Sequence, residues 1–126
     1  MKYFIAGVGI LAVLLALSIL SGVFVANRVQ PARRELSAAV AALEREEYDA
    51  ACSHAETAAK KWKAEQPKLS AILSHETLEE IALAFSDLRV YSEREYYAEF
   101  LARCKLLQMQ LKHISQMDIP SYFNLL

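Results

Sequence analysis

From Tyr3 to Ala26 the chain runs 24 residues without a charged side chain. At the α-helical rise this is roughly 36 Å, enough to cross a hydrocarbon core of about 30 Å with some tilt. The predicted element is a transmembrane helix, with residues 1–27 as an N-terminal anchor and residues 28–126 as a helical domain. The rival is a cleavable signal peptide. Those have apolar cores of about 7 to 15 residues and a small-x-small cleavage site. Cleavage after Ala26 would put Phe24 at the −3 position, which argues for retention. Ser18, Gly22 and Ala26 recur every four residues, and this stripe of small side chains would let a second membrane helix approach closely.

Orientation is contested by the flanking charges. Lys2 and the amino terminus stand on one side, and Arg28, Arg33 and Arg34 on the other, so the positive-inside tendency places the domain in the cytoplasm. Beyond residue 26 stand 13 of the 14 Lys and Arg and all 15 Asp and Glu. Such a balanced, interspersed surface lacks the basic footprint of a nucleic-acid binder. All three glycines (Gly7, Gly9 and Gly22) lie within the apolar run. The domain therefore has no ready means of building primed hairpin turns, a phosphate loop or a dinucleotide-binding turn, and helices joined by short polar links remain.

Apolar spacing locates those helices. Pro31 suits a first-turn position, and Leu36, Ala39, Val40 and Leu43 follow it at helical intervals, predicting a helix from Pro31 to about Glu46. Tyr48, Ala51, Cys52, Ala55, Ala58 or Ala59, and Trp62 form the face of a partner helix, with Trp62 filling the wider end of an alanine-lined hairpin. Pro67 interrupts or kinks it, and Leu69, Ile72 and Leu73 predict a short helix beyond. A further helix starts between residues 74 and 78 and buries Leu78, Ile81, Ala82, Phe85 and Leu88. A capping-box spacing at Ser92 and Glu95 predicts the start of the last long helix, which runs to about Gln116. Asp118 to Leu126 is too apolar for a solvated tail and is expected to dock on the bundle. The fold class is all-α: an N-terminal transmembrane helix followed by a four- to five-helix antiparallel bundle of two helical hairpins, tetratricopeptide-like in shape.

The anchor, the Trp62 region, Leu69-Ser70-x-Ile72-x-x-His75-Glu76, Ile81, Leu83, Leu88 and the terminal Asn124-Leu125-Leu126 together resemble the bacterial family called domain of unknown function 4363. The resemblance covers nearly the whole chain, and its most specific piece is the Ile72-to-Ile81 stretch with His75. It implies a single-pass membrane protein of Gram-positive spore formers and their relatives. The helical domain would lie on the outer face, against the raw charge count. It implies no activity and no catalytic residue.

Candidate positions carry bland readings beside the functional ones. His75 and Glu79 share a helix face at ligand spacing, with Glu76 and Glu80 nearby, but the second histidine of a zinc-protease pattern is missing. A structural role at a helix start is the preferred reading, and metal- or redox-dependent activity a remote alternative. Cys52 and Cys104 read as buried free thiols, or as a disulfide if the domain is extracytoplasmic and their helices are neighbours. Lys60, Lys61, Lys63 and Lys68 read as a solvated face or a contact for anionic headgroups. Trp62, Tyr91, Tyr96 and Tyr97 are candidate contact or core-capping aromatics. No nucleophile motif appears, and neither a cofactor nor an enzyme is expected.

The function expected is a non-enzymatic, membrane-anchored interaction module of the cell envelope. Its partners are the lipid bilayer and another membrane or envelope protein, with a homodimer as an option. The alternative is an accessory subunit that assembles through Ser18, Gly22 and Ala26.

Overall fold

The computed structural model describes residues 1–116; the expectation for Asp118–Leu126 lies outside them. The described residues form four helices and no strand: α1 Lys2–Glu44, α2 Tyr48–Leu69, α3 His75–Glu93 and α4 Tyr97–Gln116. All-α architecture with a long apolar N-terminal helix is thus what the chain adopts.

Pro31 lies inside α1 rather than at the helix start its first-turn preference predicts. The helix runs 43 residues, about 65 Å, from the apolar segment into the bundle without a link. Proline deprives the Asn27 carbonyl of its i+4 donor, but Asn27 is exposed and water can satisfy it. Packing on both sides holds the helix together: Val25, Val29, Ala32, Leu36, Ala39 and Leu43, spaced alternately by four and three, are all buried. One helix therefore supplies both the apolar N-terminal segment and the first helix of the bundle.

Two more boundaries differ from expectation. α2 continues through Pro67 to Leu69, and the next five residues form a turn, not a short helix. Ser74 then caps α3, its Oγ accepting from the Thr77 backbone N–H at 3.2 Å. Ser92 lies in the last turn of α3 rather than at a helix start, and the break falls at Arg94–Tyr96.

The helices pack as a ring of neighbours, α1 on α2, α2 on α3, α3 on α4 and α4 on α1. The two hairpins predicted from sequence are present, but they close on each other instead of stacking openly as in a solenoid. The hairpins are also copies of one plan, offset by 49 residues. Glu44-Arg45-Glu46-x-Tyr48 recurs as Glu93-Arg94-Glu95-x-Tyr97. Glu46 and Glu95 both take the left-handed backbone conformation, with φ of 58° and 59°. In each turn the following N–H reaches back to the last helical turn, Glu47 to the Ala42 carbonyl at 2.8 Å and Tyr96 to the Tyr91 carbonyl at 2.9 Å. This is a Schellman termination, usually built on glycine and built here on glutamate. The Tyr48 and Tyr97 rings stack at 3.9 Å between centroids, joining the two turns. Buried positions obey the same offset: Val29, Ala32, Leu36 and Ala39 answer to Leu78, Ile81, Phe85 and Leu88, and Ala51, Ala55, Ala58 and Trp62 to Phe100, Cys104, Leu107 and Leu111.

Candidate functional site

A repeated plan makes the α1–α4 and α2–α3 interfaces equivalent, yet only the first is closed. Between α2 and α3 lies a cleft of about 800 Å³. Its apolar lining comes from Ala55, Ala59 and Trp62 on α2 and from Phe85 and Leu88 on α3, with charged residues of both signs around them. On the closed side Gln108 Nε2 donates to Ser37 Oγ at 2.9 Å, and Lys105 Nζ lies 3.8 Å from Glu44. The equivalent pairs across the cleft are Ala59 with Ser86 and Glu56 with Glu93. A donor has become a methyl group, and a cation opposite an anion has become an anion opposite an anion. Each acid is instead paired within its own helix, Glu56 with Lys60 at 3.5 Å and Glu93 with Arg89 at 3.1 Å.

Bulk reinforces the opening. Trp62 and Phe85 meet with ring centroids 6.2 Å apart, where the closed interface has Leu111 and Leu36. Trp62 is 3% exposed, and its Nε1–H finds no acceptor among the described residues. Burying such a donor unpaired costs about 1–3 kcal/mol, so the ring is held by its apolar contacts.

The remaining candidates are dispersed. His75 is exposed at the start of α3, its Nε2 2.8 Å from Glu79 Oε1. Among the described residues no group of three or more His, Cys, Asp or Glu is placed to hold a metal ion. Tyr91 is half-buried against the core, Tyr96 is exposed, and Tyr97 is stacked on Tyr48. Desolvation, with Glu95 adding to it, raises the Tyr97 phenol above its ordinary pKa. The disulfide is not formed: Cys52 and Cys104 are both free. They stand on α2 and α4, diagonal members of the ring, with Cys104 turned wholly into the core. Burial pushes the Cys104 thiol up to about 12, so it is unreactive while the bundle is folded. Cys52 is half-buried and lines the cleft.

Ser18 and Gly22 are buried and Ala26 is half-buried, so the small-residue stripe is already largely covered. The lysine run is partly tied down. Lys60 pairs with Glu56, Lys61 with Glu35 at 3.2 Å, and Lys68 with Glu65 at 3.8 Å, while Lys63 lines the cleft.

Sequence reasoning missed the Glu35 cluster and Glu93, and read Ala59 as an alternative face position and Glu56 as an acid flanking the lysines rather than as parts of a cleft. Glu35 receives His54 Nδ1 at 2.8 Å and Lys61 Nζ, bridging α1 to α2. The hydrogen bond from His54, and after it Lys61, hold its carboxyl below the ordinary value against the opposing effect of desolvation. The repeated Glu-Arg-Glu-x-Tyr turn was the signal that would have aligned the hairpins and exposed the mismatched pairs.

A search of the curated proteins finds no match, and neither does a search of the solved structures. A family model, described as Domain of unknown function (DUF4363), matches residues 21–125, beginning where α1 joins the buried core at Gly22 and Val25. The match spans most of the chain, and the protein therefore belongs to the DUF4363 family.

Proposed function

We propose that this protein is a membrane-anchored, non-enzymatic interaction module of the bacterial cell envelope. Its α2–α3 cleft receives an amphipathic helix of another membrane or envelope protein. The observation that carries the reading is the cleft itself: accessible apolar atoms of Cys52, Ala59 and Ala82 over a buried base of Trp62, Phe85 and Leu88, between charged walls, where the equivalent interface is bridged by Gln108 to Ser37 and Lys105 to Glu44. Helix-in-groove recognition needs an apolar trough for the i, i+3 and i+4 anchors and rims that discriminate by charge. The acids Asp49, Glu56 and Glu93 and the cations Lys60, Lys63 and Arg89 supply rims of mixed sign.

Anchoring is supported by α1, which is long and apolar enough to cross a membrane. Tyr3, Phe4, Ile5, Ile10, Leu14 and Leu17 are among its exposed apolar side chains, an expanse far beyond what a water-soluble monomer tolerates. An extracytoplasmic domain is part of the proposal. The arginines that argue for the cytoplasm are three, Arg28, Arg33 and Arg34, and a folded domain can be translocated despite a few flanking arginines.

The test places a photo-crosslinking residue at Ala59 or, as a control, at the exposed Met109 on α4 of the full chain in cells. The expected result is a discrete crosslink to a membrane or envelope protein from Ala59 only, abolished by Ala82→Trp, which fills the trough from an exposed position on α3. Replacing residues 3–17 with an unrelated apolar helix should leave that crosslink in place. Crosslinks that vanish with the anchor swap and persist with the cleft filled would favour assembly through the membrane helix instead.

A further inference from the structure

The anchor and the bundle share one helix, so the height of every other element relative to the membrane is set by its register against α1. Arg28 and Glu65 form an ion pair across the α1–α2 interface. One turn further along, Leu69 is fully buried at the end of α2, and one turn back on α1 Val25 is buried as well. The α2–α3 turn therefore lies beside the last turns of the uncharged run Tyr3–Ala26. A hydrocarbon core of about 30 Å takes about 20 helical residues, so a span that begins at Tyr3 leaves the core close to Gly22.

The turn suits that height. Leu69-Ser70-Ala71-Ile72-Leu73-Ser74 contains no charge. Backbone bonds from Ile72 N and Leu73 N to the Leu69 carbonyl, at 3.0 and 2.8 Å, and from Ser70 N to the Gln66 carbonyl, at 3.0 Å, hold it compact and satisfy three of its donors internally. Leu73 packs on the core while Ala71 and Ile72 remain exposed. Charges stand on either side at headgroup height: Lys68 before the turn, Glu76 after it, and Arg28 on α1, whose guanidinium lies 5.1 Å from the centre of the Phe24 ring. Arginine beside an aromatic ring is a usual interfacial arrangement, the cation in the headgroups and the ring below.

We propose that the α2–α3 turn, with Ile72 at its tip, is a second membrane contact. It inserts into the boundary between headgroups and acyl chains of the phospholipid bilayer that α1 crosses. The contact is continuous with the anchor and rests on the anchoring proposed above. It holds the bundle upright and points the Tyr48–Tyr97 end away from the membrane. Glu76 and Glu79 at the start of α3 limit the depth, because carboxylates stay in the aqueous layer.

The experiment uses the full chain in phosphatidylcholine–phosphatidylglycerol vesicles, in a Cys52→Ser, Cys104→Ala background whose helix content is checked by circular dichroism. Single probes at Leu14→Cys, Ile72→Cys and Val90→Cys carry an environment-sensitive fluorophore, quenched by doxyl-labelled lipids or by aqueous iodide. Leu14 should be quenched by deep doxyl groups and Ile72 several-fold more than Val90 by shallow ones, with iodide acting mainly on Val90. An Ile72 probe that behaves like Val90 beside a lipid-quenched Leu14 overturns this proposal alone. A Leu14 probe that reads as aqueous overturns the anchor and the second contact together. A Ser70→Cys probe repeats the measurement at the same height without altering an apolar side chain.

Discussion

The two hairpins fill equivalent places in the ring with different materials. At the facing layers α1–α2 has Ala39, Ala42, Ala51, Ala55 and Ala58, where α3–α4 has Leu88, Tyr91, Phe100, Cys104 and Leu107. Alanine layers let helix axes approach closely but bury little area per residue, whereas leucine and phenylalanine each contribute roughly 1.5–3 kcal/mol when fully buried. The first hairpin accordingly adds cross-helix polar links, Glu35 with His54 and Lys61, and Arg28 with Glu65. In the second the ion pair recorded between helices is Arg103 with Asp87, at 3.5 Å. One backbone plan thus tolerates two solutions, one relying on close approach and the other on volume. Joining unlike hairpins also leaves one of two equivalent interfaces open.

Exchanging materials at one equivalent pair should have the largest effect. Phe100→Ala places the residue type of Ala51 in the second hairpin, where close approach is not available. It should cost about 3–5 kcal/mol in urea unfolding of the micelle-bound chain followed by Trp62 fluorescence. A loss below about 1 kcal/mol would show that the second hairpin collapses as readily as the first.

The turns test the likeness rather than the difference. Glu46→Gly and Glu95→Gly relieve the same left-handed backbone, so each should stabilise by about 0.5–1 kcal/mol, and by similar amounts. Unequal effects in the same unfolding assay would mean that the two turns are not energetically equivalent.

Glu56→Lys restores at the cleft the charge pairing found between Lys105 and Glu44. Its stability gain should be only about 0.2–1 kcal/mol. The sharper readout is access: thiol labelling of Cys52, which lines the cleft, should slow as α2 and α3 draw together. Unchanged labelling would assign the opening to the bulk of Trp62 and Phe85 alone.

The smallest effect concerns the polar links of the first hairpin. The folded-state pKa of Glu35 lies below its ordinary value of 4.5, so its contribution is present above that value and is lost as pH falls through the folded one. Glu35→Gln should therefore lower stability near neutral pH by on the order of 0.5 kcal/mol and flatten the acid limb below about pH 4.5. An acid limb as steep as that of the unsubstituted chain would assign that loss of stability to other carboxylates.

Much of the fold was legible because it is written in short-range patterns. The apolar run, the 3.6-residue stripes from Tyr48 to Trp62 and from Tyr97 to Ile114, and the absence of glycine after Gly22 each state a local preference for helix. Pro31 misled because its rule concerns an isolated turn, whereas Val25, Val29, Ala32 and Leu36 are clamped by other helices on both sides of it. Ser92 misled similarly: its capping spacing to Glu95 is real, but the Schellman bonds of Tyr96 and Glu95 extend α3 past it. The cleft was not legible from either helix alone, since Ala59 and Phe85 do pack with the core, and the space beside them exists only between α2 and α3.

An all-α chain with an uncharged N-terminal run and two hairpins follows from local sequence alone, because charge, periodicity and turn chemistry act within one or two helical turns. That α1 passes through Pro31, that the hairpins close into a ring, and that α2 and α3 meet at Trp62 and Phe85 but leave a cleft beside them are set by the packed structure. These outcomes depend on how side-chain volumes and charges from segments tens of residues apart meet. The Glu56–Glu93 mismatch exists only once α2 and α3 are laid side by side.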